Sequence, residues 1–142
     1  MTSHTILTKL DDTHFPIVKI TLGNNIDKNN FEEIKIFWLN QYLKKKDFYI
    51  IFDTLFINNI SISYLHKLGK FVRKLKKIKN QYLKASILLI KSDFVKKLYS
   101  IYSKIQKPIS KVYIVKEEND VDIIISKLEN NKKIIGYTEF NP

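Results

Sequence analysis

Four short apolar runs, each followed by a stretch whose apolar residues recur every three or four positions, constrain this chain more than any motif in it. FPIVKITL (15–22) alternates like a strand with one covered face, with Pro16 where a ladder donor is dispensable and Gly23-Asn24-Asn25 closing it. NNFEEIKIFWLNQYLKKK then shifts to a helical period, with Phe31, Ile34, Trp38, Tyr42 and neighbouring Leu39 predicting one apolar face. Asn30 suits its N-cap, Glu32 and Glu33 its first turn, and Lys44 to Lys46 its last. FYIIFDTLFI (48–57) is apolar on both sides, which predicts a strand covered on two faces. A helix over about 62–81 follows, with inner stripe Leu65, Leu68, Val72, Leu75 and Ile78.

The same alternation continues to the end. ASILLIK (85–91) reads as a third strand, Ser92-Asp93 caps FVKKLYSIYSKIQ, and Pro108 forbids its continuation. KVYIVK (111–116) is the fourth strand, and Asp120 suits the cap of a last helix over VDIIISKLEN. Strand–helix alternation requires crossovers onto a mostly parallel sheet. The expectation is a single α/β domain with a mostly parallel or mixed central sheet of about four to five strands and alternating helices. Residues 1–14 read as a flexible leader, 15–130 as the domain, and 131–142 as a tail that frays or adds a small edge piece.

The chain has no cysteine, which excludes disulfides, thiolate metal sites and cysteine nucleophiles, and fits a reducing, cytoplasmic setting. No apolar stretch approaches the roughly 18 residues that span a bilayer, so the expectation is a soluble protein. Gly23, Gly69 and Gly136 are too far apart for a phosphate-cradling loop, and no cofactor is expected. His4, His14 and His66 share no ligand spacing, and no metal site is expected. No nucleophile elbow occurs. The chain therefore reads as a non-enzyme.

Among the carboxylates, Asp11-Asp12 read as loop residues, and Glu117-Glu118, Asp120 and Asp122 suit the start of the last helix. Asp53 differs, because it ends the apolar half of its strand at the carboxyl edge, where open α/β sheets place their working loops. Its structural role is to accept backbone donors in the strand-to-helix turn. Gly69 falls inside a helix, where it costs on the order of 1 kcal/mol relative to alanine; close packing against the sheet is the expected reason.

The net charge is +11, from 24 Lys and one Arg, Arg73. Between Asp53 and Asp93 there is no acidic residue, while Lys67, Lys70, Arg73, Lys74, Lys76, Lys77, Lys79, Lys84 and Lys91 accumulate. Most project from one helix and its exit. This reads either as a solvated outer face in a lysine-biased composition or as a docking surface for an anionic partner. With a single Arg, bidentate reading of bases is not expected.

The central stretch resembles the STAS domain family, typified by anti-sigma factor antagonists, and its relatives similar to lipid-binding Sec14 domains. The resemblance covers roughly 15–130 and rests on element order and three features: FYIIFDTLF, like a central strand ending in aspartate; the hydroxyl-bearing turn INNISIS entering a long helix; and KASILLIKSDFVKKLYSIYSKIQKPISKVYIVK. In phosphorylation-switched members an Asp-Ser-(Ser/Thr)-Gly stretch opens this helix, whereas Ile60-Ser61-Ile62-Ser63 stands here. The resemblance implies a protein-interaction module that docks through the turn 54–63 and the following helix, with Asp53, Thr54, Asn58, Asn59, Ser61, Ser63, Lys67, Lys70 and Lys74 as contacts. It also implies Ser61 and Ser63 as phosphorylation sites. The expected partner is an acidic protein. The alternative is non-specific binding of nucleic acid or anionic lipid through Lys70, Arg73, Lys74, Lys76, Lys77, Lys79 and Lys84.

Overall fold

The computed structural model describes residues 5–142. In chain order they form β1 (Lys9–Asp11), β2 (Ile17–Thr21), α1 (Lys28–Tyr42), β3 (Phe48–Asp53), α2 (Ile62–Lys76), β4 (Leu83–Leu89), α3 (Asp93–Ile105), β5 (Lys111–Val115), α4 (Glu118–Glu129) and β6 (Thr138–Phe140). All strands join one mixed sheet in sequence order, with β2 to β5 parallel and β1 and β6 antiparallel at the edges. The α/β expectation holds, but the sheet has six strands rather than four to five. The two extra strands have three residues each, too few to show a period in sequence, and are recruited by the exposed edges of β2 and β5. Lys9–Asp11 lies in the segment read as a flexible leader, and Thr138–Phe140 in the segment read as a tail.

The sequential order decides where the helices go. Each parallel crossover steps one strand in the same direction, and right-handed connections then place α1, α2 and α3 on one face. Side chains alternate accordingly. Val18, Ile20, Phe48 and Ile50 pack with Ile34, Trp38, Tyr42, Phe71, Val72 and Leu75 of α1 and α2. On the opposite face Ile51, Ala85, Ile87, Leu89, Tyr113 and Val115 pack with Val121 and Ile124 of α4. β3 is thus covered on two faces, but by different means on each. On the α4 side β2 adds only half-buried Ile17 to that cluster, and its alternation of fully buried Val18 and Ile20 with half-buried Ile17, Lys19 and Thr21 reflects the thinner cover there.

Local signals set the helix limits, with several departures from the sequence reading. The N-cap of α1 is Asp27 rather than Asn30, and the two residues form a reciprocal capping box in which each side chain accepts the other's backbone N–H at 2.9 and 3.0 Å. Glu32 and Glu33 therefore fall past the first turn, and Lys44 to Lys46 past the last. Phe31, Ile34, Trp38 and Tyr42 are buried as expected, but Leu39 is 42% exposed. α2 stops at Lys76 rather than near 81, because Gln81 Nε2 folds back and donates to the Leu75 and Ile78 carbonyls at 2.7 and 2.8 Å. Ser92 caps α3 through the Val95 N–H as expected. The N-cap of α4 is Glu117, and Asp120 instead accepts from the Tyr137 hydroxyl at 3.3 Å.

Gly69 is needed for a contact between helices rather than with the sheet. A Cβ there would meet Ile105 Cγ2 of α3 at 3.2 Å and Gln106 Cβ at 3.6 Å. The glycine lets α2 and α3 approach on their shared face.

Candidate docking surface

β3 ends at Asp53, and the chain leaves the sheet through residues 54–61 before entering α2. Asp53 is 4% exposed. Its Oδ1 accepts the Leu55 N–H at 3.0 Å, and its Oδ2 lies 3.9 Å from Lys19 Nζ. Thr54 is buried too, and its hydroxyl donates to the Leu89 carbonyl at 2.7 Å. Both side chains hold the turn to the sheet and offer no surface to a partner. The lone carboxylate in an apolar strand is explained by this local geometry, in which a short acceptor satisfies an amide that no ladder reaches.

The rest of the turn is pinned from outside. Asn58 and Asn59 donate their backbone N–H groups to the Asn24 carbonyl at 2.9 and 3.1 Å, and Asn24 Nδ2 returns a bond to the Phe56 carbonyl at 2.8 Å. The side chains of Asn58 and Asn59 remain exposed, as do those of Leu55, Phe56 and Ile62. The backbone is thereby held while apolar tips face outward.

Ser61 occupies the N-cap of α2 but makes no capping bond to the helix; its hydroxyl pairs with that of Ser63 at 2.8 Å. Both serines are exposed. No acidic residue lies in the first turn of α2, so the partial positive charge of its N-terminus is unopposed within the helix.

Along α2, Ser63, Lys67, Lys70, Lys74 and Lys77 recur at spacings of three and four and share one exposed face. Among the described residues, Lys67, Lys70, Lys74, Lys76, Lys77 and Lys79 form no ion pair. Lys67 Nζ lies over the Tyr64 ring, 4.8 Å from its centroid. Arg73 and Lys84 are engaged, Arg73 donating to Gln106 Oε1 at 3.1 Å and Lys84 pairing with Asp47 at 3.6 Å. Lys91 pairs with Glu117 at 3.8 Å. The structure therefore divides the predicted basic set into an unpaired row on α2 and a few cations with local partners.

Beside that row runs a feature the sequence reading missed. Ile36 and Leu39 of α1, with Phe71 and Leu75 of α2 and Ile78 just beyond its end, line a groove of about 330 Å³, and Lys35, Lys74 and Glu32 complete it. Ile36 is 58% exposed and Leu43, one turn beyond Leu39, is 75% exposed. The signal was present in the spacing of Ile36, Leu39 and Leu43, a second apolar row on the helix face away from Ile34 and Trp38.

His66 and His14 are exposed and separate, and His4 lies outside the described residues. Among the described residues no three His, Asp or Glu side chains converge as metal ligands. No helix among them is long and apolar enough to cross a membrane. Comparisons of this chain with protein-family models, with curated proteins and with solved structures each return no match.

Proposed function

We propose that this protein is a non-enzymatic, STAS-like interaction module of the cytoplasm that docks an acidic protein segment on α2 and the adjoining groove. The observation that carries the reading is the unpaired lysine row beside an apolar groove on the same surface. An exposed cation that forms no ion pair raises the local potential and accelerates encounter with an anionic partner. The apolar floor between α1 and α2 favours a protein segment with its own apolar residues over a phosphate backbone, which has nothing to place there. Asn58, Asn59, Ser61, Ser63, Lys67, Lys70 and Lys74 are the contacts on this reading; Asp53 and Thr54 support the turn from within.

The STAS-like part of the reading rests on the strand–helix order, on Asp53 ending β3 and on two exposed serines opening α2. A phosphate on Ser63 would stand one turn before Lys67 and beside the free amides of the helix start. It would also occupy the lysine face that the partner needs.

Binding is tested by affinity purification at low salt with wild type and the Lys70→Glu/Lys74→Glu variant, with duplex DNA and anionic vesicles run in parallel. Retention of an acidic protein by wild type alone, with DNA and vesicles unbound, supports the reading. Steep salt-dependent binding of DNA or vesicles instead assigns the row, with Lys76, Lys77 and Lys79, to polyanions.

A further inference from the structure

The two buried side-chain polar atoms without a hydrogen-bond partner among the described residues, Trp38 Nε1 and Ser110 Oγ, belong to residues that line the same cavity. That cavity measures about 70 Å³ and lies between the α1–α3 face of the sheet, to which Phe52 of β3 belongs, and Tyr99 and Tyr102 of α3. Trp38 is 5% exposed, so water outside the fold does not reach it readily. Leaving a buried donor unpaired costs roughly 1–3 kcal/mol. Two such atoms beside one void point to an occupant that satisfies them.

The lining states what the occupant is. No residue of the wall carries a charge at neutral pH, and burial pushes the Tyr99 hydroxyl up to about 12 and raises that of Tyr102 further. A charged ligand would lose its hydration with no counter-ion in return. A single water would satisfy both polar atoms but takes up only roughly 10–15 Å³ of such a void, and most of the wall is hydrocarbon from residues such as Phe52, Val72, Leu88 and Val112 that it would leave without contact. The volume is about half that of the roughly 150 Å³ apolar cavity that accepts benzene. We infer that the cavity binds a small uncharged amphiphile of the size of a short-chain alcohol, whose oxygen accepts from Trp38 Nε1 and bonds Ser110 Oγ. Pro108, Ile109 and Ser110, in the connection between α3 and β5, form the part of the lining outside helix and strand.

Trp38 is the only tryptophan, so its indole N–H gives a single ¹⁵N–¹H resonance that reports on this cavity. The probe is ethanol, titrated against acetate as a charged molecule of equal chain length. A saturable shift of the indole resonance with ethanol and none with acetate is expected. Ser110→Ala should weaken the response roughly two- to tenfold, the loss of one hydrogen bond. Ser86→Leu, which fills the void, should abolish it; if that variant does not fold, Ser110→Ala and acetate still decide. An indole resonance that does not saturate before amides elsewhere begin to move, one that shifts equally with acetate, or one that exchanges with bound water and ignores the alcohol overturns the inference.

Discussion

Asp53 Oδ1 accepts the backbone N–H of Leu55 at 3.0 Å at the carboxyl edge of the sheet, in a residue 4% exposed. A buried acceptor bonded to a turn amide serves stability first. Asp53→Ala is expected to cost roughly 1–3 kcal/mol, because the Leu55 amide is left without its partner. Asp53→Asn should cost less, since an amide oxygen can still accept. Lys19→Met should change stability by well under 1 kcal/mol, because the 3.9 Å ion pair has one half-exposed member. Urea unfolding with unchanged slope and shifted midpoint is the measurement. Equal losses for Asp53→Ala and Lys19→Met would assign the role to the ion pair instead.

Gly23 stands where the N-terminal segment crosses the end of β2. A Cβ there would collide with the Ile6 carbonyl oxygen and meet Thr8 N at 2.8 Å, both backbone atoms that cannot swing aside. Gly23→Ala is therefore expected to displace residues 6–8 and break the Asn24 N–H bond to the Ile6 carbonyl and the Gly23 N–H bond to Thr8 Oγ1, both 3.0 Å. Hydrogen exchange at the Gly23 and Asn24 amides should accelerate, with a stability loss above roughly 1 kcal/mol. Unchanged protection there would show that the segment does not depend on the close approach.

Three tyrosines tie stability to alkaline pH. Burial pushes the hydroxyls of Tyr42 and Tyr99 up to about 12 and raises that of Tyr102 beyond. An acid whose pKa rises on folding stabilises the fold while it stays protonated. That contribution is complete below the unfolded value near 10 and is lost as pH climbs towards 12. Stability should hold to about pH 9.5 and fall above it. Lysines also titrate in this window, so the difference between wild type and Tyr99→Phe isolates the tyrosine part, and the variant should lose less between pH 9.5 and 11. Parallel curves would contradict the assignment.

The four central strands and all four helices were legible because each carries an apolar run, alternating or continuous, or a period near 3.6 over enough residues. What escaped was short or spatial. β1 and β6 are three residues long and owe their pairing to edges that other segments provide. Helix ends at Asp27 and Lys76 depended on side chains returning from Asn30 and Gln81, which no local propensity reveals. Gly69 was recognised as a close-packing position, but its partner, Ile105, lies 36 residues away and belongs to α3 rather than the sheet.

The site divides along the same line. The density of lysines on the helix after Asp53 was visible, but which of them lacked counter-ions was not, since Lys84 and Lys91 find Asp47 and Glu117 only through the fold. The groove beside Ile36 required the packing of α1 against α2. The cavity beside Trp38 required the end of α3.

The direct test of the docking surface separates recognition from folding in one variant. Lys70 and Lys74 are exposed and unpaired, so Lys70→Glu/Lys74→Glu should leave the urea midpoint almost unchanged. The decisive measurement is quantitative mass spectrometry of proteins retained from the native lysate at low salt by wild type and by this variant. The account predicts an acidic protein retained by wild type, released by moderate salt and absent from the variant. Equal retention by both proteins at every salt concentration would contradict it.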